Sequence, residues 1–158
     1  MPRTGSAGFD LYRRESGRFV FLAAAQPNRD QQLLELPLLR DGSGKITEYL
    51  LNLPLYGGAD SVEIGVAPGS AVLPPAPHRI AKPILFYGSS ITQGGCASRP
   101  GNSYANLLCR ALDAEEINLG FSGCGKGEIA LAEAIGELDL AAVVLDYDHN
   151  APDEAHLE

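Results

Sequence analysis

From Phe9 to about residue 70, apolar and polar positions alternate in short runs broken by turn residues. "FDLYRRE" comes first, and "GRFVFLAAA" follows the Ser16-Gly17 turn. "QQLLELPLL" follows "QPNRD", "KITEYLLNLPLY" follows "RDGSG", and "DSVEIGVAPG" follows Gly57-Gly58. Strands at this spacing, with such turns, predict a β-sandwich over residues 1–75. Pro37 and Pro54 inside two of the runs imply edges or bulges, because proline cannot donate to a ladder. "VLPPAPHRIAKP", residues 72 to 83, reads as an ordered linker.

The pattern changes at Lys82. "PILFYG" is a short, wholly apolar strand. "NSYANLLCRALD" sets Tyr104, Leu107, Leu108, Ala111 and Leu112 at helical spacing, with Asn102 or Ser103 as the cap. "EEINLGFSG" predicts a strand, "GEIALAEAIGELD" a helix, and "LAAVVLDYD" a third strand. Apolar strands separated by helices predict a parallel sheet covered on both faces, an α/β unit over residues 82–158. Ligands of such sheets sit beyond the carboxyl ends of the strands. The three strands end in "GSSITQG", "GFSGCGKG" and "DYDHNAP", so these segments are expected side by side.

Composition narrows the function. Twelve basic against twenty acidic residues leave a net charge of −8, which argues against nucleic acid and anionic membranes as partners. No apolar run approaches the roughly 20 residues of a membrane helix. "MPRTGSAGFD" lacks the apolar segment of a signal peptide, so a chain that starts at Met1 is expected in the cytoplasm. Three cysteines, Cys96, Cys109 and Cys124, have no metal spacing and are expected as free thiols.

Chemistry concentrates at the strand ends. Gly88 lets the chain turn after the first apolar strand. Ser90 is the candidate nucleophile, because a serine in that turn can attack a carbonyl while its own N–H holds the oxyanion. Ser89, Ser90 and Thr92 read equally as turn or helix caps, the commoner use of such a cluster. The turn is not a G-x-S-x-G elbow, since Thr92 stands where its second glycine belongs. Ser89 and Gln93 flank Ser90 as candidate substrate-binding residues.

At the second end, Gly120, Gly125 and Lys126 fit most of a phosphate loop. Gly127, however, replaces the hydroxyl that would hold magnesium. The other reading of that loop is a Gly-rich turn in which Gly123 donates an N–H unobstructed. The third end brings Asp146, Asp148, His149 and Asn150. Two carboxylates with no third anchor make a weak metal site, whereas the Asn150 amide can donate to an oxyanion.

On these three ends the sequence resembles the SGNH (GDSL-type) hydrolase family. "YGSSITQGG" is similar to the family's first block, with Ser90 at the nucleophile position and Ser89 in place of the usual aspartate. "INLGFSG" resembles the second block, with Gly123 as oxyanion donor. "LDYDHNAP" resembles the third, with Asn150 as oxyanion amide and the usual glycine absent. "GFDLY" resembles the β-domain that precedes the catalytic domain in one bacterial branch.

The resemblance implies a flavodoxin-like three-layer sheet, a preceding jelly-roll-like domain, and hydrolysis of an acyl or acetyl ester on a sugar or lipid. No cofactor and no metal are called for. The expected partner is a small-molecule ester.

A serine nucleophile needs a base, which the family supplies from a later D-x-x-H block. Asp153 and His156 have that spacing, but they lie within six residues of Asn150 on what reads as a helix start. Geometry must precede spacing, so this pair reads as a coincidence. His149 is a substitute base, and His78 reads as structural or exposed.

The family's sheet has about five strands, against three predicted here. The expectation is therefore a fragment with an uncovered sheet edge, either poorly stable or oligomeric through that edge, and with little or no esterase activity. The rival reading from another class is a non-catalytic carbohydrate-binding β-module. The least favoured is phosphate or nucleotide binding through Gly120 to Lys126.

Overall fold

The structure, a computed structural model, describes residues 1–31, 33–37 and 44–157, the side chain of His156 excepted. Helix α1 (Arg3–Ala7) opens the chain. Strands β1 (Phe9–Glu15), β2 (Arg18–Ala25) and β3 (Tyr49–Asn52) follow. They form one antiparallel sheet in the order β2-β1-β3. Ser16 and Gly17 both take positive φ, 47° and 81°. That is the primed two-residue turn whose twist matches a hairpin.

Among the described residues this sheet has no second sheet facing it. "DSVEIGVAPG" forms no strand, although Val62, Ile64 and Val66 alternate correctly, and Ile64 is 75% exposed. Alternation supplies a face but not a partner for the backbone, and an unpaired strand does not persist in water. The run at 45–56 shortens to β3, ending before Pro54. "QQLLELPLL" falls partly outside the described residues, and its described stretch, 33–37, carries no strand.

The second half follows the predicted alternation closely. Strand β4 (Ile80–Gly88) begins inside what reads as linker. Helix α2 (Ser90–Gln93) is a single turn. Helix α3 (Tyr104–Leu112) is capped by Ser103, whose Oγ accepts from the Asn106 N–H at 3.3 Å. Strand β5 (Ala114–Gly120), helix α4 (Ile129–Gly136) and strand β6 (Ala142–Asp146) complete it.

The sheet is parallel in the order β5-β4-β6. Successive strands therefore lie on opposite sides of β4, which makes the gap between β4 and β6 a topological switch point. Ile84 and Phe86 pack against Ala105 and Cys109 of α3, with Val144 beside them. The opposite face is open. Helix α4 buries no residue, and Leu145 of edge strand β6 is 64% exposed. Cover on both faces, expected from the apolar strands, is thus incomplete here. An open groove of about 530 Å³, lined by Leu131, Ile135, Val143 and Leu145, separates α4 from β6.

The two sheets are joined through one buried carboxylate. Asp10 of β1 is fully buried. It accepts from the Gly101 N–H at 2.9 Å and from Asn52 Nδ2 at 2.9 Å, with Arg99 at 3.3 Å. Gly101 lies in the 3-10 turn Pro100–Asn102, just before α3. Arg99 stacks over Phe21 at 4.1 Å and Arg110 over Tyr12 at 4.3 Å. A second tie links Arg14 to Asp113 at 2.8 Å, with His78 on the same carboxylate at 3.2 Å. The Arg14 bond holds the Asp113 carboxyl below its ordinary range.

Candidate active site

Register brings the three strand ends together: Gly88 pairs with Gly120 on one side and with Asp146 on the other. Each end continues into one of the predicted polar segments. Gly88 and Gly120 are glycines for lack of room. A Cβ on Gly88 would overlap Thr92 Oγ1 and the Asp146 carbonyl, and one on Gly120 would overlap the Gln93 backbone. Helix α2 therefore sits directly on the rim of the sheet.

Ser89 is buried and caps α2, its Oγ accepting from the Ile91 N–H at 3.2 Å. Its own N–H donates to the Asp146 carbonyl at 2.9 Å, across the switch point. Its hydroxyl is thus engaged in shaping the turn. Ser90 follows at the first helical position, where its N–H has no partner within the helix. The Ser90 side chain is half-buried. Among the described residues its hydroxyl makes no hydrogen bond. Of the serine cluster, Ser89 is the cap, while the Ser90 hydroxyl has no hydrogen-bond partner among the described residues.

The second loop turns tightly over the first. The Phe121 N–H donates to the Gly88 carbonyl at 2.8 Å, and the Phe121 carbonyl accepts from Cys124 and Gly125. Gly123 takes φ +71° and is exposed, with open space around it. The third loop closes on the second, since Asn150 Nδ2 donates to the Phe121 carbonyl at 3.1 Å. Asn150 stands in the 3-10 turn Asp148–Asn150.

Beneath α2 lies a polar cluster whose members the sequence names only separately: Thr92 as a cap, Asp146 as a weak metal candidate and Tyr104 on a helix face. Thr92 Oγ1 and the Tyr104 hydroxyl both lie within reach of Asp146 Oδ2, at 3.1 and 3.2 Å, and 3.1 Å from each other. Thr92 is fully buried. Burial pushes the Tyr104 phenol up, and the neighbouring Asp146 carboxylate adds to it while the Thr92 bond opposes it. Asp146 thus ties α2 and α3 to the end of β6 through one carboxylate oxygen.

The remaining candidates are placed as follows. His78 is bonded to Asp113, which joins Ile80 at the start of β4, at the opposite end of the sheet from Ser90. His149 is exposed in the turn beside Asn150. Glu154–His156 forms a 3-10 turn, and the His156 side chain lies outside the described residues. In the Gly120 to Lys126 loop the Lys126 N–H donates to the Glu128 carboxylate at 3.2 Å. An acid occupies the position a phosphate would need, and its bond with Tyr87 holds that carboxyl below its ordinary range, keeping it charged. This disfavours phosphate binding.

Fold and site together define a parallel α/β protein whose three strand-end loops are bonded to one another at the switch point, beside a Ser90 hydroxyl that has no hydrogen-bond partner among the described residues. Residues 81–156 match the model of the GDSL-like lipase/acylhydrolase family. Residues 1–72 match the model of the N-terminus of SGNH-hydrolase-type esterases. A crystal structure from Bacteroides ovatus ATCC 8483, described as of a GDSL-like lipase, is 37% identical with a TM-score of 0.81. The match covers 94% of this chain and 43% of that one. Comparison with curated proteins gives no match. The chain belongs to the SGNH (GDSL-like) hydrolase family.

Proposed function

We propose that the protein is a serine ester hydrolase acting on a short acyl group, such as acetyl, carried by a sugar hydroxyl. Ser90 Oγ attacks the ester carbonyl. The N–H groups of Ser90 and Gly123 and the Asn150 amide hold the oxyanion. Collapse of the tetrahedral adduct expels the alcohol and leaves an acyl group on Ser90, which water then removes. The observation that carries this reading is the unpartnered Ser90 hydroxyl at the switch point, with the Gly123 and Asn150 loops bonded to each other beside it. The exposed rim residues Ser122, Asp148 and His149 favour a polar alcohol over a long apolar one.

As Ser90 attacks, its proton must pass to a base, and no described imidazole is bonded to it. His149 is the described histidine on the same rim. Weak turnover is therefore expected from these 158 residues. The test is covalent labelling with a fluorophosphonate, read by peptide mass. A single adduct on Ser90, absent from Ser90→Ala and from heat-unfolded protein, supports the reading. No adduct, or one elsewhere, overturns it, and sugar binding without labelling would favour a β-module that only binds carbohydrate. Removing one oxyanion donor, as in Asn150→Ala, is expected to slow labelling by about 10²–10³-fold.

A further inference from the structure

The Gln93 carboxamide is engaged at both ends. Its Oε1 accepts from the Ser122 N–H at 2.9 Å, one residue before Gly123. Its Nε2 donates to the Leu55 carbonyl at 3.2 Å, in the segment that follows β3. The next residue, Tyr56, donates its hydroxyl to the Ser90 carbonyl at 3.3 Å. That carbonyl also accepts from the Gly95 N–H at 2.7 Å. The Leu55 to Gly57 segment is itself pinned. Leu55 N–H donates to the Gly5 carbonyl, and Tyr56 and Gly57 both donate to Ser6, at 2.7 to 3.3 Å. A chain of bonds thus runs from α1 through residues 55–57 to the nucleophile turn and on to the oxyanion loop.

We propose that Gln93 is a positioning residue, not a substrate-binding one, and that Tyr56 anchors the turn it belongs to. The inference rests on the reading of Ser90 as nucleophile. Gly123 has no side chain, and the space a Cβ would take is open, so no side-chain packing fixes this residue. Orientation comes from the Phe121 turn and from the Gln93 clamp on Ser122. Gln93 ends the same single-turn helix that Ser90 begins, so the clamp sets the attacking oxygen and the oxyanion donor relative to each other. The first sheet's trailing segment is, on this inference, part of the acylation machinery.

Two measurements on the full chain test it. The first is hydrogen exchange at the Ser122 amide, which needs no catalysis. Gln93→Ala should speed it by about fivefold or more, the loss of one hydrogen bond, and unchanged exchange would overturn the clamp. The second is fluorophosphonate labelling of Ser90, resolved into a saturation constant and a limiting rate. Gln93→Ala should lower the limiting rate by about 10- to 100-fold through misplacement, with the saturation constant little changed.

Gln93→Glu, which still accepts from Ser122 but cannot donate to Leu55, should recover part of that loss. Tyr56→Phe, which loses one bond, should show a smaller loss of the same kind. Either variant decides the matter if Gln93→Ala does not fold. A weakened saturation constant at an unchanged limiting rate would make Gln93 a substrate-binding residue after all. Absence of any Ser90 labelling in the unaltered chain would sink the hydrolase reading, while the exchange result would still judge the clamp.

Discussion

Glycines at the rim do different jobs, and substitution separates them. At Gly88 a methyl group would overlap the Asp146 backbone as well as Thr92, and backbone cannot step aside as a side-chain end can. Gly88→Ala is expected to cost about 3 kcal/mol or more, as a severe overpacking change. A methyl group at Gly123 would meet nothing, so the demand on a side chain there is the φ of +71°. Gly123→Ala should therefore cost about 1–2 kcal/mol, the ordinary penalty of left-handed backbone. Urea unfolding of both variants checks the contrast, and equal costs would contradict it. Gly88 was legible beforehand as a turn glycine. Its role as a seat for Thr92 was not, because Thr92 and Asp146 stand 54 positions apart and only the parallel register joins them.

Elements show the same division. Helix α3 with its Ser103 cap follows the apolar spacing closely, while β4 starts earlier than expected, at Ile80, and β5 stops at Gly120, short of the expected Gly123. The first half is less faithful, since alternation over residues 60–69 finds no neighbouring strand. What "GFDLY" accomplishes is invisible locally. Asp10 sits in a strand between Phe9 and Leu11 and receives bonds from a turn 91 positions away. Asp10→Ala would leave the Gly101 N–H, the Asn52 amide and the Arg99 charge without their buried acceptor. A loss of about 3–5 kcal/mol is expected, the cost of breaking a buried charged contact. Chemical denaturation measures it, and a loss under about 1 kcal/mol would show that Asp10 does not hold the halves together.

For the whole molecule the Arg14–Asp113 tie predicts a dependence on acid. Asp113 has its carboxyl lowered, by Arg14 first and His78 next. Its contribution is fully present above the unfolded carboxylate value of about 3.9. It fades as pH falls through the lowered folded value, where native and unfolded chains are both protonated. Asp113→Asn retains the left-handed φ of 54°, which asparagine tolerates. The stability gap between the unaltered chain and this variant should be widest near neutrality and close on acidification below about pH 4. Urea midpoints across that range check it, and a gap independent of pH would contradict it.

By itself the sequence determined the alternation of strand and helix in the second half, the three polar strand ends and the serine between two glycines. These are short-range properties, set by which neighbours are apolar and where the backbone can turn. Only the tertiary structure decided that Ser89 caps while the Ser90 hydroxyl has no partner among the described residues, that Asp146 bonds Thr92 and Tyr104, and that Gln93 and Tyr56 bond across to Ser122 and Ser90. The bonds of Asp146, Gln93 and Tyr56 join partners 29 to 54 positions apart, whereas the Ser89 cap is a local bond to Ile91. Such pairs meet only once the sheet has set its register, and no local spacing records which distant donor will find which acceptor.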